Sequence, residues 1–195
     1  MASIWNVIRH RYLGVSATVA MLLLLPIIVI ATQRPQNLSG IAEGATTIIF
    51  SPTSIEDVPL EKKLNEEFFL NVLIDPGSNV LSKVKLDINY DPRFLKLSNQ
   101  KPILINESIF TEVVEGPYYS EGRIQITLSV GDELTNALKN KTRAVTLNFI
   151  PTTNTSTIST VVSFGPETSA STVEVNDLEK ENVVSTTAPA YINIR

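Results

Sequence analysis

The stretch that decides the fold is Lys83–Leu97, with the sequence KVKLDINYDPRFLKL. Apolar and polar side chains alternate through its first half: Val84, Leu86, Ile88 and Tyr90 are apolar, and Lys83, Lys85, Asp87 and Asn89 are polar. A spacing of two predicts a strand with one buried face and one solvent-exposed face. The strand is predicted to end at Asp91-Pro92, because proline has no N–H to donate and favours a turn.

From Ala45 onward, further short apolar segments are separated by turn formers. Phe68–Ile74 is apolar at nearly every residue, which predicts a strand that is buried on both faces or central in a sheet. Gly116-Pro117 is predicted to end a strand, and Asp132–Lys139 is predicted to form a short helix capped by Asp132. The other predicted strands are Thr46–Phe50, Pro102–Ile105, Ile109–Val114, Arg123–Val130, Ala144–Ile150, Thr157–Phe164, Thr172–Asn176 and Ala190–Ile194. Arg123–Val130 alternates as well, with Ile124, Ile126, Leu128 and Val130 predicted to point inward and Arg123, Gln125, Thr127 and Ser129 outward. About ten short strands with little helix predict an all-β, antiparallel sandwich.

The order of these segments resembles one known family. Asn79–Leu97 is similar to the strand of cohesin domains that ends in Tyr-Asp-Pro and is followed by a leucine-rich hook. Glu67–Pro76 resembles the strand before it, and Gly122–Val130 lies where the family places a later strand. The resemblance covers residues 45–195. It implies a jelly-roll sandwich of about nine strands, related to carbohydrate-binding modules, that binds protein partners called dockerins and is not an enzyme.

The resemblance also implies a position for the binding site. Cohesins bind their partners on a flat sheet face that includes this strand and a later neighbour. A polar sheet face suits a reversible protein contact, although any half-exposed strand carries such residues toward solvent. The candidate partner-binding residues are Lys85, Asp87, Asn89, Gln125, Thr127 and Ser129.

Tyr118 and Tyr119 are the one plausible sugar-stacking pair in the domain. Adjacent exposed aromatic rings can stack on sugars, but they can also cover the end of a sandwich. Two alternatives to protein attachment therefore stay open: a carbohydrate-binding module that binds polysaccharide, and a structural subunit of the envelope or a pilus.

Composition argues against several other classes of function. The net charge of −4 and pI near 5.1 disfavour a nucleic-acid-binding protein, which is usually basic. The chain has no cysteine, and its one histidine, His10, precedes the predicted domain. Cysteine and histidine catalysis and metal sites built from these residues are thus not expected. No glycine-rich phosphate loop is present in the sequence, and we predict no cofactor.

One motif resembles a calcium site. Asp87, Asn89 and Asp91 match the opening of an EF-hand loop, but Pro92 replaces the required glycine and Ser98 the bidentate glutamate. We therefore predict no metal site at this position.

The amino-terminal segment predicts a membrane anchor. Met1–Tyr12 is short and basic, and Leu13–Ala31 follows as 19 residues without a charge. As a helix, this run would be about 28 Å long, close to the hydrocarbon thickness of a bilayer. Arg9 and Arg11 precede the run, which predicts a cytoplasmic amino terminus and a single pass through the membrane.

A cleaved signal peptide is the alternative interpretation of this segment. Val29-Ile30-Ala31 fits a cleavage site, although the apolar run exceeds the usual length of about 7–15 residues. Residues 32–44 are predicted to be a linker because they contain turn formers and no apolar period. Both interpretations place residues 32–195 outside the cytoplasm, either at the membrane or secreted.

Overall fold

Thirteen strands account for most of the residues that the computed structural model describes, which are 45–131, 135–155, 158–173 and 182–195. The strands are β1 (Thr46–Ser51), β2 (Leu60–Lys62), β3 (Phe68–Asp75), β4 (Leu81–Tyr90), β5 (Leu95–Leu97), β6 (Ile103–Ile105), β7 (Glu112–Ser120), β8 (Arg123–Ser129), β9 (Thr142–Pro151), β10 (Thr160–Phe164), β11 (Ser169–Thr172), β12 (Val184–Ala188) and β13 (Ala190–Ile194). These described ranges contain no helix. Accordingly, no helix of a length and apolarity sufficient to span a membrane occurs within them.

The strands form two sheets. The six-stranded sheet has the order β12-β1-β3-β9-β5, and β6 also pairs with β9. The seven-stranded sheet has the order β2-β13-β10-β4-β8-β7, and β11 pairs with β4 beside β10. Most pairs are antiparallel, but β1 pairs with β12 and β13 pairs with β2 in parallel. The all-β sandwich is therefore confirmed, with more strands than the predicted nine and with two parallel edge pairs.

Apolar side chains from both sheets meet in one core. Phe50 of the six-stranded sheet stacks on Phe164 of the seven-stranded sheet, with ring centroids 4.3 Å apart. Tyr90 meets Phe149 edge-on at a centroid distance of 5.2 Å, which again joins the two sheets. Full burial of one such large side chain stabilises a fold by about 1.5–3 kcal/mol.

The alternation in Lys83–Leu97 is confirmed in β4. Val84, Leu86 and Ile88 are buried, and Tyr90 is half-buried. The predicted turn follows, and the Asp91 carbonyl accepts hydrogen bonds from the N–H groups of residues 94 and 95 at 3.1 and 3.0 Å. The alternation predicted for Arg123–Val130 is confirmed as well, since Ile124, Ile126, Leu128 and Val130 are all buried.

The Phe68–Ile74 segment lies in the interior of a sheet, between β1 and β9. The central position in a sheet was one of the two predictions for this segment. The other prediction, burial on both faces, is wrong. Phe68, Leu70, Val72 and Ile74 are buried, whereas the Phe69 side chain is largely exposed. The outer face of this strand is apolar in sequence but has no second layer over Phe69.

The predicted strand break at Gly116-Pro117 is wrong, because β7 runs through both residues. β7 is an edge strand, where proline is tolerated because its missing N–H is needed by no neighbour. The register shifts on either side of Glu115 absorb the irregularity. Gly116 has a φ of +82°, and a Cβ there would lie 2.7 Å from the carbonyl oxygen of Gln125. Only glycine fits both constraints.

The helix predicted over Asp132–Lys139 is wrong wherever the structure describes it. Residues 135–139 form a turn, and Leu138 makes an isolated bridge with Leu81. The predicted cap, Asp132, lies outside the described residues. Two short strands, β2 and β12, were not predicted.

The amino-terminal predictions also lie outside the described residues. They are the basic segment Met1–Tyr12, the membrane run Leu13–Ala31 and the linker 32–44. All of them stay predictions.

Candidate functional site

The structure brings the six candidate partner-binding residues together on the outer face of the seven-stranded sheet. They occupy adjacent antiparallel strands, β4 and β8, and face one another across the pair. Lys85 lies opposite Thr127, and Asp87 lies opposite Gln125. Asn89 and Ser129 lie at the two ends of the same set, opposite Arg123 and Lys83. We call these six residues, together with Arg123, the polar face.

Asp87, at the centre of the polar face, is completely buried, with 0% of its surface exposed. The sequence predicted it to face solvent, together with Thr127 and Ser129, and this is wrong for all three, since Thr127 and Ser129 are also buried. Arg123 covers Asp87, donating from Nε to Oδ1 at 2.7 Å and from Nη2 to Oδ2 at 3.0 Å. A two-point contact of this kind is among the strongest side-chain hydrogen bonds. Asp87 is therefore a buried structural anchor within the face.

The connection between β10 and β11 also covers Asp87. Both strands pair with β4, β10 through residues 88–90 and β11 through residues 81–85, so Asp87 lies opposite the gap between them. The N–H of Gly165 donates to the Asp87 carbonyl at 2.7 Å, and the Asp87 N–H donates to the Thr168 hydroxyl at 3.2 Å. Backbone groups of Asp87 that lack ladder partners are thereby satisfied.

Glu167, in the same connection, accepts hydrogen bonds from three side chains of the polar face. Lys85 Nζ donates to Oε2 at 2.7 Å, Arg123 Nη2 donates to Oε1 at 2.7 Å, and Gln125 Nε2 donates to Oε2 at 3.1 Å. These contacts lower the pKa of Glu167 to about 2, chiefly through the hydrogen bond from Lys85 and then through that from Arg123.

The same contacts favour the charged forms of both cations. The hydrogen bond to Glu167 raises the pKa of Lys85. The hydrogen bond to Asp87, followed by that to Glu167, raises the pKa of Arg123. Two carboxylates and two cations thus form one cluster with no net charge. We call these four residues, Lys85, Asp87, Arg123 and Glu167, the ion cluster.

Beside the ion cluster, the edge strand β7 adds a second column of side chains to the same face. Glu115 lies opposite Thr127 and accepts a hydrogen bond from its hydroxyl at 3.3 Å. Glu112 lies opposite Ser129, and Tyr118 lies opposite Gln125. No salt bridge to either glutamate occurs among the described residues. This edge of the face is therefore acidic and carries an aromatic ring.

Tyr118 and Tyr119 do not form a single platform. Successive side chains of a strand point to opposite faces, and cross-strand partners share a face. Tyr118 pairs with Gln125 on the outer face, whereas Tyr119 pairs with Ile124, whose side chain points into the core. The two rings are 62% and 47% exposed but cannot stack together on one sugar surface.

Two features of the described residues bear on metal and acid/base chemistry. Within them, no group of three or more histidine, cysteine, aspartate or glutamate side chains could hold a metal ion. A cavity of about 440 Å³ lies beside the segment before β9, and its lining has hydroxyl, amide and lysine side chains but no carboxylate. General acid–base catalysis by a carboxylate pair is not available there.

Two important residues of the face had not been predicted. Glu167 lies in a Gly-Pro-Glu-Thr turn that reads as an ordinary loop, and its partners are 82 and 44 residues away in sequence. Arg123 was predicted to point outward but not to bind Asp87, 36 residues away. The one available sequence signal was the alternation of apolar and polar residues on β4. This alternation does not show which residue pairs with Asp87.

The described residues thus combine a polar, ion-paired face with an all-β sandwich. No known family model matches the sequence. A search of curated proteins likewise found no match. Solved structures do match, and they define the fold.

Three of these structures illustrate the likeness. A cohesin–dockerin complex from Clostridium thermocellum matches with a TM-score of 0.59 and 8% identity, over 78% of this chain and 94% of the other. A type I cohesin from Pseudobacteroides cellulosolvens gives 0.56 and 12%, over 77% and 92%. A non-cellulosomal cohesin from the archaeon Archaeoglobus fulgidus gives 0.55 and 14%, over 77% and 91%.

The described domain therefore has the cohesin fold. The likeness covers nearly the whole length of each of these structures, so it concerns a complete module. At identities of 8–14%, it shows the fold alone.

Proposed function

We propose that this protein is a membrane-anchored, non-catalytic attachment module that binds a dockerin-like protein outside the cytoplasm. The observation that carries the proposal is the polar face, which lies on the sheet that contains the Tyr-Asp-Pro strand. A matching structure of this fold was solved as a complex of a cohesin with a dockerin. Fold alone does not determine function, so the site must carry the argument.

The physical character of the face supports a reversible protein contact. The ion cluster fixes the side chains of Lys85, Arg123 and Gln125 in one arrangement before a partner arrives. Ordering these side chains in advance removes part of the entropy that binding would otherwise cost. The polar residues around the ion cluster suit a reversible contact, because no large apolar surface becomes exposed when the partner dissociates.

The proposed location follows from Leu13–Ala31. An uncharged run of this length, preceded by Arg9 and Arg11, would hold the module at the outer surface of a membrane. A secreted form released after Ala31 is the alternative, and it would leave the binding face unchanged.

Protein attachment is favoured here over polysaccharide binding. A sugar-binding sheet usually offers several aromatic rings on one face, whereas here Tyr118 and Tyr119 point to opposite sides of β7. A structural envelope subunit that binds copies of itself is a further alternative, which the experiment below distinguishes.

The experiment uses the full chain in detergent, immobilised and exposed to an extract of the host surface in calcium. Dockerins fold around calcium, so bound partners should elute with a chelator. A released protein with paired calcium loops supports the proposal. Elution of further copies of this chain would indicate self-assembly. Release of bound material by soluble glycans would indicate a sugar-binding module. If the chelator elutes no protein, the proposal is contradicted.

A further inference from the structure

The acidic edge strand β7, beside the polar face, indicates which kind of partner side chain would bind there. The inference rests on the proposed function, because it concerns a partner on the outer face of the seven-stranded sheet.

The cations of the polar face are balanced by the protein itself. Lys85 binds Glu167, and Arg123 binds both Asp87 and Glu167. A partner carboxylate would therefore have to compete with two internal carboxylates for these groups. The ion cluster is thus a poor receptor for an acidic partner.

The carboxylates of β7 differ, because neither makes a salt bridge among the described residues. Lys85 lies in the same row as Glu115, whose charge adds to the raised pKa of Lys85, but the Lys85 ammonium is hydrogen-bonded to Glu167. Glu112 is exposed, and Glu115 accepts only the hydroxyl of Thr127. Lys83 lies in the same row as Glu112, but β8 separates their strands. With strands about 4.8 Å apart, the two backbones are about 10 Å from each other.

Tyr118 lies next to Glu115 on this face. Their cross-strand partners, Gln125 and Thr127, are two residues apart on β8, so the two side chains emerge about 7 Å apart along the sheet. A cation placed between them would meet a carboxylate on one side and the Tyr118 ring on the other. Aromatic faces attract cations, and arginine stacks on them well.

We propose that Glu115 and Tyr118, with Gln125 beside them, form a subsite for an arginine or lysine side chain of the partner protein. The partner surface is therefore basic where it crosses β7. Gln125 has a carbonyl oxygen left for the same cation, since its amide nitrogen is donated to Glu167. The subsite is open, because Tyr118 is 62% exposed.

The test uses two labelled synthetic helical peptides and the full chain in detergent. One peptide carries arginines along one face, and the other has glutamine at the same positions. Fluorescence anisotropy at low ionic strength measures their binding, because screening weakens surface charge contacts. The arginine peptide should bind measurably more tightly than the glutamine peptide.

Matched variants locate the binding. Glu115→Gln and Tyr118→Ser should each weaken the arginine peptide about three- to tenfold. Glu107→Gln, which removes the same charge from an exposed loop residue, and Tyr119→Ser, which removes the neighbouring ring on the other face, should leave it within about twofold. Thermal unfolding of each of the four variants is measured as well, to check that the variant is folded.

Equal or undetectable binding of the two peptides would overturn the inference, as would equal losses in the test and control variants. Neither result decides the proposed function, which the capture experiment tests independently. Conversely, a chain that prefers the arginine peptide but captures no calcium-dependent protein would retain the subsite and lose the dockerin-like partner.

Discussion

Arg123 binds both carboxylate oxygens of Asp87, at 2.7 and 3.0 Å, and closes this fully buried side chain off from solvent. The contact joins β8 to β4 on the outer face of the sheet, where a buried carboxylate is unusual. Buried charges persist in proteins when they are paired and hydrogen-bonded. This pair therefore links the stability of the sandwich to the shape of its candidate binding face.

The first prediction concerns this pair. Asp87→Asn should destabilise the fold by about 2–4 kcal/mol, because it removes a charged acceptor that is fully desolvated. Urea unfolding measures the change. The control is Asp91→Asn, where the exposed pair with Arg93 is lost, and it should cost about 0–1 kcal/mol. Equal losses in both variants would mean that the buried pair has no special role.

The second prediction concerns pH. The pKa of Glu167 is lowered from its ordinary value of 4.5 to about 2, so its ionised form stabilises the folded chain above pH 4.5. That contribution should disappear as the pH falls from 4.5 toward 2. The urea midpoint of the wild type should exceed that of Glu167→Gln near neutral pH, and the gap should close across this window. A gap that stays constant down to pH 2 would contradict the assignment.

The third prediction concerns the close approach of Gly165 to Asp87. A Cβ at residue 165 would lie 2.2 Å from Asp87 Oδ2 and 2.8 Å from Asn89 Nδ2, so the connection must move outward in Gly165→Ala. We expect a loss of about 1–3 kcal/mol in the free energy of unfolding.

Gly131→Ala provides the contrast for this variant. A Cβ at residue 131 would lie 3.6 Å from its nearest neighbour, the hydroxyl oxygen of Thr111, so it meets no steric clash. The φ of Gly131 is +86°, however, so the substitution should cost about 1 kcal/mol of backbone strain. Only Gly165→Ala should also reduce the pH-dependent contribution of Glu167. If both variants reduce it equally, the contact between Gly165 and Asp87 does not hold the connection in place.

The fourth prediction concerns the amino terminus. If Leu13–Ala31 is a retained anchor, the full chain should stay in the membrane fraction after an alkaline wash, and a chain that begins at residue 32 should be soluble. Sequencing the amino terminus of the mature protein separates the alternatives. A mature chain that starts after Ala31 would establish a signal peptide instead.

The sequence predicted the strands whose side chains alternate strongly. In β4 and β8, the period of two reports the two faces of the sheet, and the apolar residues were confirmed as buried, with Tyr90 half-buried. The polar residues were predicted less well, because Asp87, Thr127 and Ser129 are buried too. The turn at Asp91-Pro92 has a local cause in proline chemistry, so it too could be predicted.

The missed elements depend on contacts that are distant in sequence. β2 and β12 are short edge strands that pair in parallel, with residues more than 130 positions away, and neither has an alternating pattern. β7 continues through Gly116-Pro117 because it lies at an edge, which is a property of the sheet and not of the segment.

The binding face was predicted only in outline. Its six residues were placed on two strands, and the structure brings these strands together, but the burial of Asp87 follows from Arg123 and Glu167. No local pattern reveals a carboxylate that is held by a turn 80 residues later. Charge pairing across a sheet requires the register, which the alternation alone does not determine.

A partner that docks on the outer face of the seven-stranded sheet should bind less tightly when this face is altered, and equally well when the other sheet is altered. The affinity of the protein eluted by chelator is measured for the full chain, for Gln125→Arg and for Phe69→Arg. Both variants introduce the same side chain on an outer face, but Phe69 lies on the opposite, six-stranded sheet and is 55% exposed. We predict that Gln125→Arg weakens binding at least about tenfold and that Phe69→Arg changes it less than about twofold. Equal binding by both variants, or a loss confined to Phe69→Arg, would contradict this assignment of the binding face.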